Sequence, residues 1–138
     1  MSRLLGDPLV AELRRLIGAD AVLTDDAARV AADRILEVDT QSRLAVVEPG
    51  VINADLKAEV ASGGLAYSPD PASTPISTIG GNIAENAGGP ECIKYGVTFH
   101  HVIALGVALT DGRLVTFDQD DEVDLLGLMI GSEGRSGS

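Results

Sequence analysis

Apolar residues at Leu9, Val10, Leu13, Leu16 and Ile17 recur at the spacing of one helix face. Asp7-Pro8 offers an N-cap and a proline at the first helical position, and Gly18 closes the run. A second helix starts at Thr24 or Asp25 and carries Ala27, Ala28, Val30 and Ala31. It runs without a turn residue into the alternating stretch Arg34–Val38, an uncommon helix-to-strand junction. Arg34–Asp39 and Arg43–Glu48 predict a β-hairpin around Thr40-Gln41-Ser42, ended by Pro49-Gly50. Asn53 is the expected cap of a helix that carries Leu56 and Val60 and stops at Gly63-Gly64. Val97–Leu109 reads as a strand with Val102, Ala104, Gly106 and Ala108 on one face. Asp111-Gly112 is a hairpin turn signal, and Arg113–Phe117 is the returning strand. After an acidic turn at Asp118–Asp121, Val123–Ile130 predicts a short helix ending at Gly131, and residues 132–138 read as a frayed end. This order gives an α+β fold with an antiparallel sheet and flanking helices, with no internal repeat.

Composition narrows the picture. The chain has 138 residues, enough for one domain, and 45% of them are hydrophobic. Its core is aliphatic, because Trp is absent and Phe and Tyr number two each. A formal net charge of −11 argues against nucleic acid or an anionic membrane as partner. The longest apolar stretch, Val102–Leu109, is too short to insert into a bilayer. No basic region followed by an apolar block marks a signal peptide. The single Cys92 excludes an intrachain disulfide and fits a cytoplasmic setting.

Between the predicted hairpins lies a run of different character. Ser68–Gly96 holds four of the six prolines and five of the sixteen glycines, with Ala, Ser, Thr and Asn between them. Such a run has little bulk for a core but lets backbone N–H groups approach a ligand. The embedded Ile76, Ile79, Ile83 and Ile93 argue for order. These features suggest the wall of a pocket for a large, polar, phosphate-bearing ligand. Given the net charge, backbone dipoles would have to hold any phosphate. The dinucleotide fingerprint and the Walker sequence are both absent. What remains is Gly80-Gly81 and Gly88-Gly89, separated by a link that looks helical; these pairs read either as an anion-binding nest or as a Gly-rich surface loop.

Other candidates are weaker. His100 and His101 are expected on a strand, where neighbours face opposite ways and cannot share a metal ion. Cys92 has no base assigned to it and reads as a structural thiol. The run Asp118, Asp120, Asp121, Glu122 and Asp124 reads as a solvated turn, because it lacks the glycine and terminal Glu of a calcium loop.

Taken in order, V-V-E-P-G-V (46–51), P-D-P-A-S (69–73), S-T-I-G-G-N-I-A-E-N-A-G-G (77–89), K-Y-G-V-T (94–98), T-D-G-R (110–113) and G-S-E-G (131–134) resemble the FAD-linked oxidases of the vanillyl-alcohol oxidase type. Within that family they are most similar to the glycolate oxidase FAD-binding subunits and D-lactate dehydrogenases. The resemblance covers residues 34–134 as a partial FAD-binding domain of the PCMH type. It leaves residues 1–33 as an N-terminal helical segment and 135–138 as a disordered tail.

The resemblance implies an α+β subdomain that lines FAD. Pro71, Ala72 and Ser73 would line the flavin and pyrophosphate side, and Thr78, Gly80, Gly81 and Asn82 would offer further contacts. Ala84, Asn86 and Gly88 would approach the cofactor closely. Ile103 would sit beside the adenine, and Glu133-Gly134 near the end of the site. The implied reaction is hydride removal from a 2-hydroxy acid such as glycolate or D-lactate. No catalytic residue is identified, and no metal is implied.

Three departures from the family pattern matter. The family's first FAD subdomain would lie where Ala27–Asp33 runs straight into the strand. Its substrate domain would follow Gly134. Phe99-His100 replaces the usual Arg-Asp after K-Y-G-V-T. The site would then need another subunit or a second copy to complete it. Alternatives are a folded, flavin-free remnant or a protein-interaction module. The missing segment also predicts an exposed apolar face on the sheet or on the helix from Asn53 to Ser62.

Overall fold

A computed structural model describes residues 32–109 and 113–133. The predicted helices before residue 32, the Asp111-Gly112 turn, Gly134 and the tail 135–138 lie outside the described residues. The fold is α+β, with two separate two-stranded antiparallel sheets flanked by short helices. Strands β1 (Ile35–Asp39) and β2 (Leu44–Val47) form the first hairpin. Helix α1 (Asn53–Ser62) and helix α2 (Ile79–Ala84) follow. A one-turn helix α3 (Cys92–Tyr95) leads to a 3₁₀ turn at Thr98–His101. Strands β3 (Ala104–Ala108) and β4 (Leu114–Asp118) form the second hairpin, and helix α4 (Leu125–Met129) closes the described chain.

Apolar spacing explains the core. Helix α1 buries Asn53, Leu56 and Val60, three to four residues apart on one face. Leu56 and Val60 pack with Val51 and Ile79, and Ile35, Val38, Val47, Leu65, Tyr67 and Ile83 close around them. Helix α1 stops in a Schellman motif: Gly64 N–H donates to Ala61 O at 3.0 Å and Leu65 N–H to Val60 O at 3.0 Å, with Gly64 at φ +77°. Helix α2 ends the same way, with Asn86 N–H on Ile83 O, Ala87 N–H on Asn82 O, and Asn86 at φ +49°.

Four sequence expectations need correction. Asn53 does not cap α1; it is the first helical residue, it is fully buried, and Ile52 precedes it without a side-chain cap bond. The helical link expected between the two glycine pairs takes in the first pair itself. Gly80 and Gly81 lie within the first turn of α2, which Thr78 caps through Gly81 N–H. The strand expected from Val97 begins only at Ala104, because Thr98 anchors twice to Ala87 O, through its N–H at 3.0 Å and its Oγ1 at 2.7 Å. His100 and His101 therefore lie in a 3₁₀ turn and not on a strand. Of the two places expected for an exposed apolar face, helix α1 carries none with large side chains: its exposed residues are Asp55, Ala58, Glu59, Ala61 and Ser62. Large apolar side chains are exposed elsewhere: at Leu114 on β4, at Val123, Leu125 and Leu128 around α4, and at Ile76 and Ile93.

Candidate functional site

The segment before α1 runs antiparallel to the segment entering α2. Gly80 N–H donates to Pro49 O at 2.8 Å, Ile79 N–H to Val51 O at 2.8 Å, and Asn53 N–H to Ser77 O at 2.9 Å. Ile52 and Thr78 complete the ladder as a bridge. Gly80 is required by this approach, because a Cβ there would stand 2.7 Å from Pro49 Cβ and 3.0 Å from Pro49 O. The remaining first-turn amides are also committed. Gly81 N–H donates to Thr78 Oγ1 at 3.0 Å and Asn82 N–H to Thr78 O at 2.9 Å. The nest suggested for Gly80-Gly81 therefore has its amides turned onto protein acceptors.

The proline-rich loop lies across α1. Ala54 N–H donates to Thr74 O at 3.2 Å, and Lys57 Nζ pairs with Asp70 Oδ1 at 2.7 Å. Thr74 Oγ1 bonds the same carboxylate oxygen at 3.1 Å. These bonds, with Lys57 first, hold the Asp70 carboxyl below its ordinary value. Within the loop, Thr74 N–H donates to Pro71 O, while the N–H groups of Ile76 and Ser77 both donate to Ser73 O. Ala72 and Ser73 are exposed on this turn, and their own N–H groups take no acceptor among the described residues. The second glycine pair abuts the same turn. A Cβ at Gly89 would stand 2.2 Å from Asp70 O and 3.2 Å from Pro71 N. Gly88 and Gly89 also donate no N–H to an acceptor among the described residues. A Cβ at Gly88 would meet Val97 Cγ1 at 3.2 Å, so protein packing by itself accounts for a small residue there.

A second gathering surrounds the end of α2. Asn86 Oδ1 accepts Phe99 N–H at 2.9 Å. Gly131 N–H donates to Ile83 O at 2.9 Å and Glu133 N–H to Ala84 O at 3.0 Å. Ala84, Asn86 and Glu133 are thus brought together. Pro71, Ala72 and Ser73 share the turn that Gly89 abuts, Gly88 packs on Val97 and Cys92 beside it, and Thr78, Gly80, Gly81 and Asn82 belong to the ladder and its helix. Ile103 is half-buried beside β4, and its carbonyl accepts Gln119 N–H at 3.2 Å. Gly134 lies outside the described residues. The buried atoms Asn53 Oδ1, Ser77 Oγ, Asn82 Nδ2 and Ser132 Oγ have no hydrogen-bond partner among the described residues.

Sequence reasoning missed Pro49 as the surface against which Gly80 packs, and Asn53 and Lys57 as loop holders. The available signal was their spacing: Asn53 and Lys57 are four apart, on one side of α1.

The remaining chemistry is sparse. His101 Nε2 donates to Tyr95 O at 3.0 Å, and His100 Nδ1 accepts Val97 N–H at 3.3 Å. Tyr67 packs edge-on to His101, and burial pushes its hydroxyl up to about 12. Lys94 Nζ lies 2.7 Å from the Tyr95 hydroxyl oxygen. No group of His, Cys, Asp and Glu among the described residues could hold a metal ion. No helix among them is long and apolar enough to cross a membrane.

Comparison with known proteins follows this geometry. The family model described as "FAD binding domain" matches residues 20–118. Glycolate oxidase subunit GlcD of Bacillus subtilis is 46% identical over 110 residues, which make up 76% of this chain and 23% of that protein. D-lactate dehydrogenase of Anaerostipes hadrus is 38% identical over 110 residues, again 76% of this chain and 23% of the relative. The chain therefore spans less than a quarter of the length of these curated relatives. Among solved structures, alkyldihydroxyacetonephosphate synthase shares the fold with a TM-score of 0.66 at 24% identity, over 77% of this chain and 18% of that one.

Proposed function

The chain belongs to the FAD binding domain family, and from that premise we propose that it forms one wall of an FAD site in an oxidoreductase acting on 2-hydroxy acids such as glycolate or D-lactate. The observation that carries this reading is the close approach of Gly89 to the Asp70–Pro71 peptide, which leads into the Ala72-Ser73 turn. The N–H groups of Ala72 and Ser73 on one side of that approach, and of Gly88 and Gly89 on the other, donate to no described acceptor. A diphosphate needs several such donors close together. The neighbouring cation Lys57 is already paired with Asp70, so the donors would be backbone amides. The residues therefore fit one side of such a group.

When bound, the flavin supplies hydride acceptance from the α-carbon of the substrate. The chain's own part is to bind and orient. Ala72 and Ser73 would donate to the diphosphate from one turn, and Gly88 and Gly89 from the other. Pro71 fixes the backbone entering the first turn. Ala84, Asn86 and Glu133 would line the far end, and Ile103 would offer an apolar face. The opposite wall would come from residues beyond those described, whether of the same chain, another subunit or a second copy.

One observation favours a second reading, a folded scaffold that holds no flavin: the first-turn amides of α2 are already bonded within the protein. Titration of FAD with the purified chain separates the two. Quenching of flavin fluorescence that saturates, and that Ser73→Pro weakens by about tenfold through loss of one charge-assisted N–H donor, supports the flavin wall. No uptake of FAD, alone or with a complementing subunit, would sink it.

A further inference from the structure

The shape of the Pro69–Ser77 loop is not set by its own sequence alone. Its internal bonds link Thr74 to Pro71, and Ile76 and Ser77 to Ser73, but none of them fixes the loop to the body of the protein. That attachment comes from α1. Asn53 reaches both ends of the loop: its backbone N–H donates to Ser77 O at 2.9 Å, and its side-chain Nδ2 lies 3.5 Å from Pro69 O. Ala54 and Lys57 add holds at Thr74 O and Asp70 Oδ1.

We infer that Asn53 is the positioning residue that sets where the Ala72 and Ser73 amides stand, by bracketing the loop from Pro69 to Ser77. Asn53 is 0% exposed, and its Oδ1 and the neighbouring Ser77 Oγ are both buried without a partner among the described residues. A buried, partly unsatisfied amide costs stability that an apolar residue would not. Asn is also a weaker helix former than Leu or Ala at the start of α1, and here its side chain makes no cap bond. The core around it is aliphatic, formed by Val51, Leu56, Val60 and Ile79. What Asn offers that Leu does not is a donor aimed at the Pro69 carbonyl. Lys57 lies one turn further along α1 and holds Asp70, the residue next to Pro69. Asp70 O in turn lies against Gly89, so the same clamp registers the loop against the second glycine pair.

The functional meaning of this clamp rests on the reading of Ala72 and Ser73 as flavin-wall donors, but its mechanical content does not. Residue-resolved hydrogen exchange on the full 138-residue chain therefore tests it separately. In Asn53→Ala the amides of Thr74, Ile76 and Ser77 should exchange about tenfold faster, while those paired between β1 and β2 keep their rates. Any FAD affinity of the unaltered chain should fall together with loop protection. Faster exchange of loop and hairpin together, or unchanged loop rates, would overturn the inference. If the unaltered chain takes up no FAD but the loop rates shift as expected, the clamp stands and the flavin reading falls.

Should Asn53→Ala fail to fold, the unaltered chain still decides. The Asn53 amide, bonded to Ser77 O, should open in one unit with those of Thr74 and Ser77. Loop amides exchanging more than about a hundredfold faster than Asn53 would show that the loop frays by itself, contrary to the clamp.

Discussion

The stretch from Pro49 to Gly89 and the β3–β4 hairpin with α4 both pack through small and aliphatic residues, yet they close differently. In the first stretch backbone meets backbone. Pro49, Val51 and Ser77 carbonyls take the amides of Gly80, Ile79 and Asn53, and glycines stand where no Cβ fits. The second is held by its own strand ladder from Ala104–Asp118 to Ala108–Leu114, and it leaves Leu114, Val123, Leu125 and Leu128 in solvent. Val115, Phe117, Val123 and Leu125 line a shallow apolar trough there. The first region leaves only Ile76 exposed among its large apolar side chains, whereas the second leaves four that the described residues do not cover.

That contrast breaks most readily in the core. Leu56 is 4% exposed and Leu128 is 60% exposed. Leu56→Ala should cost about 3 kcal/mol through lost burial and a residual cavity. Leu128→Ala should change stability by less than about 0.5 kcal/mol. Urea denaturation of both variants measures the difference. Equal losses would mean that α4 is covered in solution by a further copy or by other residues of the chain.

Close approach is the next lever. Gly89→Ala places a methyl group into the Asp70–Pro71 peptide, where neither side is a movable side-chain tip. The expected loss is about 2 kcal/mol, in the range of overpacking. Gly81→Ala is the matched control. Its Cβ would meet only Thr78 Oγ1 at 3.1 Å on an exposed helical turn. It should be neutral, or stabilising by up to about 1 kcal/mol through helix propensity. Thermal unfolding of the two variants orders them. If Gly89→Ala is as harmless as Gly81→Ala, the two loops do not touch.

These glycines also show how much could be read beforehand. The β1–β2 hairpin and the stop of α1 at Gly63-Gly64 follow from local turn chemistry, and the sequence places both within a residue or so. Gly80-Gly81 reads as lying outside the helical link, because glycine is a poor helix former; it lies in the helix since Thr78 caps it and Pro49 leaves no room for a larger residue. Asn53 looks like a cap because Asn often is one. The reason it turns inward lies at Pro69 and Ser77, well beyond any local window. His100 and His101 fall in a 3₁₀ turn because Thr98 is fixed to Ala87, a contact that period-two patterning cannot register. The family motifs identify the loops as a group. Which of their amides remain available depends on tertiary pairing and is read only from the fold.

The two helix caps extend the comparison. Thr78 caps α2 in the first region, and Asp124 caps α4 in the second, accepting Gly127 N–H at 2.7 Å. Replacing either by Ala should cost about 1 kcal/mol as a cap alone. Thr78 also takes part in the bridge to Ile52, so its variant should additionally speed exchange at the Asn53 and Gly80 amides. Asp124→Ala should leave amides outside α4 untouched. Spread of the Asp124 effect into α2, carried through Ile83 and Gly131, would mean that the two regions form one cooperative unit.

The smallest effect is electrostatic, and it acts on the loop alone. The Asp70 carboxyl is held below its ordinary 3.8, first by the hydrogen bond from Lys57 and then by that from Thr74. A lowered folded-state value means that folding favours the ionised form. The contribution is fully present above the unfolded-state value and is lost as pH falls through the still lower folded-state value. Acidification from neutrality to about pH 5 should therefore leave the loop intact, and loosening should set in only below the ordinary carboxylate range. Because Asp70 is exposed, the effect should be slight and should shrink with added salt. In Asp70→Asn the acid-dependent loosening at the Thr74 amide should vanish, while the acid response of Glu48, paired with Arg34 on the first hairpin, persists. If Asp70→Asn keeps the full acid response at Thr74, the loop is held by Asn53 and Ala54 without help from the ion pair, and the clamp reduces to its buried end.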